Sequence, residues 1–218
     1  MTAHSRTFST FALGSTLIAG LTWALAASAA PAPAKPAAAP TPPCEACHGA
    51  HGEGMAAAHV PRIAGQSADY LQKQLDDYAD GTRDNPIMRN FAKALSEQQR
   101  AKFAARYAAM SAPYLAQAKS PDAVHLARGH QLAYQGDEAK RVQACNGCHG
   151  PDGVGVPHAA PYLAGQSAEF LTSALKAFQD GTRKNDAGQL MRSVVERLDD
   201  ADIAAVTGYF ASVDPSTH

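Results

Sequence analysis

One stretch of this chain occurs twice. Cys44-Glu45-Ala46-Cys47-His48-Gly49 returns as Cys145-Asn146-Gly147-Cys148-His149-Gly150, at an offset of 101. Ala64-Gly65-Gln66-Ser67 returns as Ala164-Gly165-Gln166-Ser167, and Asp80-Gly81-Thr82-Arg83 as Asp180-Gly181-Thr182-Arg183, both at an offset of 100. Collinear matches with a single one-residue slip mark a duplicated unit, which an accidental pair of motifs would not produce. A period near 100 is too long for a solenoid repeat, so the chain is expected to fold as two globular units in tandem.

Each unit reads as helical. Ser67 is placed to cap a helix whose Leu71, Leu75 and Tyr78 share one face, and Gly81 suits the left-handed residue that ends it. Ser167, Leu171, Leu175, Phe178 and Gly181 repeat the design. A further helix starts at Ser96, with Gln99 completing a capping box and Phe103 and Tyr107 on one stripe; its counterpart starts near Asp199 and carries Ile203, Val206 and Phe210. Ser120-Pro121 predicts one more helix over about residues 121–135, just before the second cysteine pair. No segment alternates with period two for long enough to make a strand, so the expected fold class is all-α.

Ahead of the first motif, residues 11–26 carry no charge and lead into Ala27-Ser28-Ala29, the pattern of an export signal cleaved near Ala29. An uncleaved membrane anchor is the other reading of that run. Residues 30–43 alternate Pro and Ala too densely for a helix or a ladder and read as an extended tether. The division is therefore a signal over 1–29, a tether over 30–43, and domains over 44–118 and 119–218. The first domain has only the tether where the second has its opening helix. With 19 basic against 20 acidic residues the chain has no field to hold nucleic acid.

All four cysteines lie in the two C-x-x-C-H motifs. A disulfide between i and i+3 closes a tiny loop and staples little. A four-thiolate zinc site would need the pairs far closer in sequence, and a thioredoxin-like site would need a βαβ unit. Covalent haem c attachment remains: Cys44 and Cys47 add to the two vinyl groups of one haem, Cys145 and Cys148 to those of another, and His48 and His149 each take an axial position on iron. Two haems also explain a thin core, because residues 44–218 hold only 28 Leu, Ile, Val and Phe.

For the opposite faces, Met88 follows His48 by 40 residues and Met191 follows His149 by 42, each between the Asp-Gly-Thr-Arg stretch and the last helix of its repeat. A thioether favours Fe(II) relative to an imidazole. Met55 and Met110 have no counterpart and read as packing or surface. His59 and His158 are rival ligands that do not align between repeats and lie within about eleven residues of the haem-binding histidines; His51, His125 and His130 read as solvated. Pro61 and Pro161 correspond, each three residues before Ala-Gly-Gln-Ser; each is either a rigid turn or the source of a carbonyl that accepts from the other ring nitrogen of the histidine.

Over about residues 44–213 these motifs resemble the cytochrome c4 family of two-haem c-type cytochromes of the bacterial periplasm. The resemblance implies two class I cytochrome c folds related by a pseudo-twofold axis, with low-spin haems ligated by His48 and Met88 and by His149 and Met191. It also implies that the carbonyls of Pro61 and Pro161 hold the histidines. By the same resemblance the function is single-electron transfer between redox protein partners, toward a membrane-bound oxidase or a reductase, with no substrate at iron. A haem subunit of a larger oxidoreductase is the alternative; a peroxidase would need an open sixth position where both repeats offer a closing Met. The family's first domain opens with a helix, which this sequence replaces with Pro and Ala.

Overall fold

The computed structural model describes residues 44–114 and 121–217. The expected signal and tether lie outside the described residues, as does Ser120. The first repeat runs through α1 (Glu45–His48), α2 (Ala68–Asp80), α3 (Pro86–Lys93) and α4 (Glu97–Ala108). The second runs through α5 (Ala123–Tyr134), α6 (Asn146–His149), α7 (Ala168–Gln179), α8 (Leu190–Val195) and α9 (Asp200–Ser212). Among the described residues the only extended pairings are isolated bridges, Met55 with Val60, Asp137 with Val142 and Val156 with Ala160. The fold is all-α, two helical repeats in tandem, and no helix among the described residues is long and apolar enough to cross a membrane.

The caps lie where small polar residues meet orphan amides. Ser67 accepts from the Tyr70 amide and Ser167 from that of Phe170, while Ser96 and Gln99 form a reciprocal capping box. The helix expected from Ser120-Pro121 is shorter than its prediction. Its cap is Asp122, whose carboxylate accepts the His125 amide at 2.9 Å, so Pro121 stays outside the helix. Helices α3 and α8 were not foreseen; Asn85 starts the former by accepting the Met88 amide at 3.0 Å, with Pro86 as its first residue.

In the first repeat α2 packs on α3 and α4, and in the second α7 packs on α8 and α9. Ala92 and Val195 are both fully buried, and Leu95 and Leu198 nearly so. These pairs, and Tyr107 with Phe210, all lie 103 residues apart. Met88 and Met191 share that offset, so an insertion of three residues separates the Asp-Gly-Thr-Arg stretch from the methionine in the second repeat, at the turn Ala187–Gln189. The earlier one-residue slip falls in the hairpins closed by the Met55–Val60 and Val156–Ala160 bridges.

Helix α5 lies across α9. Gly129 permits the crossing, since a Cβ there would stand 2.2 Å from the Ala205 carbonyl oxygen and 2.6 Å from the Tyr209 Cβ. Leu132, Ala133, Ile203, Val206 and Phe210 fill the seam. Asp202, 3 % exposed at the edge of α9, accepts from Arg128 of α5 and from Lys140. The three largest fully buried side chains, Leu132, Ile203 and Val195, all belong to the second repeat.

Candidate functional site: two matched haem attachment loops

Each cysteine–histidine motif forms one helical turn. The His48 amide donates to the Cys44 carbonyl at 2.9 Å, and that of His149 to Cys145 at the same distance. The loop after each histidine then folds back: Gly54 donates to the His48 carbonyl and Gly155 to the His149 carbonyl, both at 2.7 Å. The Gly52 carbonyl accepts from Ile63 and Ala64, and that of Gly153 from Leu163 and Ala164. Both glycines have positive φ and lie under an aromatic ring of the last helix; an added Cβ would meet Tyr107 at 3.0 Å in the first repeat and Phe210 at 2.7 Å in the second.

This return places the proline carbonyls against the histidines. His48 Nδ1 lies 2.9 Å from the Pro61 oxygen, and His149 Nδ1 lies 2.9 Å from that of Pro161. A carbonyl only accepts, so Nδ1 carries the proton in both rings and Nε2 keeps its lone pair. Burial holds both imidazoles below their ordinary pKa, against the opposing pull of the Pro61 and Pro161 carbonyls. The result is a neutral ring of fixed tautomer and orientation, the form in which histidine binds a metal.

The thiols suit a neutral thioether. Among the described residues no disulfide joins them, and no cluster of three or more His, Cys, Asp or Glu forms a metal site. Cys44 and Cys145 are half-buried while Cys47 and Cys148 are exposed. Burial pushes Cys145 up to about 11 and raises Cys44 as well, so ionising either thiol is costly. Met88 lies in the first turn of α3 and Met191 in that of α8, both half-buried, each preceded by an exposed apolar residue, Ile87 or Leu190. Met55 is exposed and Met110 half-buried.

His59 and His158 go elsewhere. Both have left-handed backbones in the equivalent hairpins, His59 one residue and His158 two residues before the closing bridge. Each reaches the other repeat, His59 Nδ1 to the Ser173 hydroxyl and His158 Nδ1 to the Asp69 carboxylate, both at 2.8 Å. His51, His125 and His130 are exposed; His125 also pairs with its cap Asp122, and His130 stacks on Tyr134.

Two groups of polar residues were missed by sequence reasoning, although both sit in repeated motifs. Gln66 and Gln166, 7 % and 5 % exposed, each bond the other repeat's backbone. Gln166 accepts from the Arg62 amide and donates to the Arg62 carbonyl, both at 2.9 Å; Gln66 accepts from the Tyr162 amide at 2.9 Å and donates to the Tyr162 carbonyl at 3.0 Å. The exchange is what a twofold relation between the repeats requires. Arg83 and Arg183 converge on Gln74, at 2.6 and 3.1 Å, and stack over Tyr78 and Phe178. Neither makes an ion pair among the described residues. Burial opposes ionisation of the Tyr70 phenol, yet Arg183 and Arg83 outweigh it and hold that group below its ordinary value. Two half-buried or buried cations without a carboxylate suit a cofactor that brings its own carboxylates.

A family model described as cytochrome c matches residues 37–107 and 126–214. A thiosulfate dehydrogenase electron acceptor from Stutzerimonas stutzeri (strain A1501) is 44% identical over 160 residues, covering 73% of this chain and 74% of that protein. The crystal structure of reduced recombinant cytochrome c4 from Pseudomonas stutzeri superposes with a TM-score of 0.70 at 32% identity, over 78% of this chain and 93% of that one. A thiosulfate dehydrogenase (TsdBA) from Marichromatium purpuratum gives a TM-score of 0.72 at 36% identity, over 78% of this chain but only 36% of that longer one. The chain belongs to the cytochrome c family, as a di-haem electron-transfer protein of the c4 type with haem c covalently attached through Cys44 and Cys47 and through Cys145 and Cys148.

Proposed function

We propose that His48 and Met88 ligate the iron of the first haem and His149 and Met191 that of the second, in domains spanning 44–118 and 119–218. The observation that carries this reading is the matched bond from each histidine Nδ1 to its proline carbonyl, which leaves Nε2 as the single coordinating atom in both repeats. Bound haem supplies one-electron Fe(III)/Fe(II) chemistry. The chain fixes the imidazole in one tautomer and would hold each iron with a soft thioether as well, which would raise the potential, while Tyr107 and Phe210 pack over Gly52 and Gly153 of the attachment loops. Residues 1–29 direct export to the periplasm, and 30–43 tether the domains to whatever remains of that segment.

The partner we favour is a thiosulfate dehydrogenase, because an electron acceptor of that enzyme is a relative over most of its length. The carrier then passes electrons onward to an oxidase or reductase. Met88→His and Met191→His test the ligand set. Each should remove one share of the near-infrared sulfur-to-iron charge-transfer absorption and lower one haem's potential, while Met55→Leu and Met110→Leu change neither. A band that survives in the double variant overturns the assignment. Stopped-flow reduction of both haems by a thiosulfate dehydrogenase with thiosulfate tests the partner, and a rate no faster than with thiosulfate alone excludes it.

A further inference from the structure

We propose that each domain's buried glutamine tunes the haem of the other domain, Gln166 acting on His48 and Gln66 on His149 through the peptide group that holds the histidine. The inference rests on His48 and His149 being the ligands. The Pro61–Arg62 peptide carries two bonds at once: its oxygen accepts from His48 Nδ1 at 2.9 Å, and its N–H donates to Gln166 Oε1 at 2.9 Å. The Pro161–Tyr162 peptide does the same between His149 and Gln66, both at 2.9 Å. The two glutamine side chains lie 104 and 96 residues from the peptides they serve.

A peptide is a polarisable unit. Donation from its N–H to a buried acceptor moves electron density onto its oxygen and makes that oxygen a better acceptor. A better acceptor at Nδ1 raises the basicity of the imidazole, which stabilises Fe(III). Gln166 also donates to the Arg62 carbonyl, so its amide pairs with both backbone groups of one residue as a neighbouring strand would. The two hydrogen bonds together fix the amide's orientation, with Oε1 facing the N–H. Gln166 Oε1 takes a further bond from the Ser167 amide at 3.1 Å, which anchors it to the start of α7. Gln66 is anchored in the same way by Ser67. The glutamines are positioning residues: neither touches a histidine, and each acts on it through a peptide of the other domain.

The test is a redox titration of the holoprotein with the two haems resolved by their paramagnetically shifted NMR signals. Gln166→Met keeps the volume and removes the acceptor. At fixed poise it should raise the Fe(II):Fe(III) ratio about two- to threefold at the haem on Cys44 and Cys47, and leave the other haem unchanged. Gln66→Met should raise the ratio by the same factor at the haem on Cys145 and Cys148 and leave the first haem unchanged. A shift at the haem of the mutated domain, an equal shift at both, or no shift overturns the proposal. Gln166→Glu retains the acceptor oxygen and should not raise the ratio at the first haem. The wild type supplies a measurement free of folding effects: amide exchange at Arg62 and Tyr162 should differ between the oxidised and reduced protein, and equal rates refute the coupling. His48→Gly with added imidazole separates the two readings. A low-spin first haem that persists without imidazole would mean that His48 is not the ligand, whatever the glutamines do.

Discussion

Gly129→Ala tests how the second domain is closed. The added methyl would stand 2.2 Å from the Ala205 carbonyl oxygen and 2.6 Å from the Tyr209 Cβ, whereas ordinary contact begins near 3.4 Å. Both atoms belong to the backbone or to its first side-chain carbon, so neither can swing away, and α5 and α9 must separate by about 1 Å. A gap of that size forfeits a quarter to a half of each affected contact along the seam of Leu132, Ala133, Ile203, Val206 and Phe210. Overpacking of this kind costs about 3 kcal/mol, and the helix propensity of Ala over Gly returns about 1. The net loss of about 2 kcal/mol should lower the melting temperature of the holoprotein by about 4–8 °C. Phe210 lies on α9 over Gly153, so the second haem should lose its share of the sulfur-to-iron charge-transfer absorption before the first. Val124→Ala on the same helix, at a side chain 78 % exposed, should leave the melting temperature within about 1 °C. A Gly129→Ala protein that melts with the wild type would refute the close crossing and with it the account of this core.

Gly153→Ala should destabilise the second attachment loop more than Gly52→Ala destabilises the first, because the added methyl would meet the ring at 2.7 Å in one and 3.0 Å in the other; thermal melts of the two haem signals would rank them. Asp137 and Asp199 are held below the ordinary aspartate value by hydrogen bonds, chiefly from Arg128 and from Lys140. A depressed folded pKa stabilises above the unfolded value of about 3.9, and the contribution is lost as pH falls through the lower folded values. Lys140→Met should therefore flatten the acid limb of the melting-temperature profile below about pH 4, and an unchanged limb would count against the Lys140 clasp. Replacing Arg83 and Arg183 together by Leu should lower both haem potentials, if these cations offset the charge of the haem carboxylates, since losing positive charge favours Fe(III). Potentials that stay constant would place the pair away from the haems.

The attachment chemistry was legible because thioether formation and iron ligation dictate residue type and spacing, and duplication showed the pattern twice. The caps at Ser67, Ser96, Ser167 and Asp199 were legible for the local reason that an orphan amide takes the nearest side-chain oxygen. Helices α3 and α8 were not. They are short, and the three-residue insertion at Ala187–Gln189 breaks the numerical match between them, so no periodicity accumulates. Asp122 caps α5 because its carboxylate reaches the His125 amide, a choice that sequence order alone does not decide. Gln66 and Gln166 were quoted as motif residues without a role. Their partners are about a hundred residues away, and the single signal available was an amide side chain at a turn in both copies.

The two copies have diverged on the face of the last helix that α5 covers in the second domain. At the offset of 103, Ala205 and Tyr209 of α9, which α5 covers, correspond to Lys102 and Arg106 of α4, both exposed. Arg106 pairs with Glu45 at 2.7 Å, so the face that α5 would occupy in the first domain is charged and ties the last helix to the attachment loop. A charged face gains little from an apolar covering helix. The cost falls on the core: among the described residues no large aliphatic side chain of the first repeat is fully buried, and its buried apolar residues are Ala64, Tyr78, Ala92, Leu95, Ala104 and Tyr107. The first domain must then draw more of its order from its haem and from the second domain. Arg62 shows the dependence on the second domain, since both of its backbone polar groups are held by Gln166 at 2.9 Å. Hydrogen exchange should therefore find the α2–α4 amides opening before those of α5 and α9, and removing the Gln166 bonds should widen that difference. Protection equal in the two domains would mean that the charged face closes the first core as well as α5 closes the second.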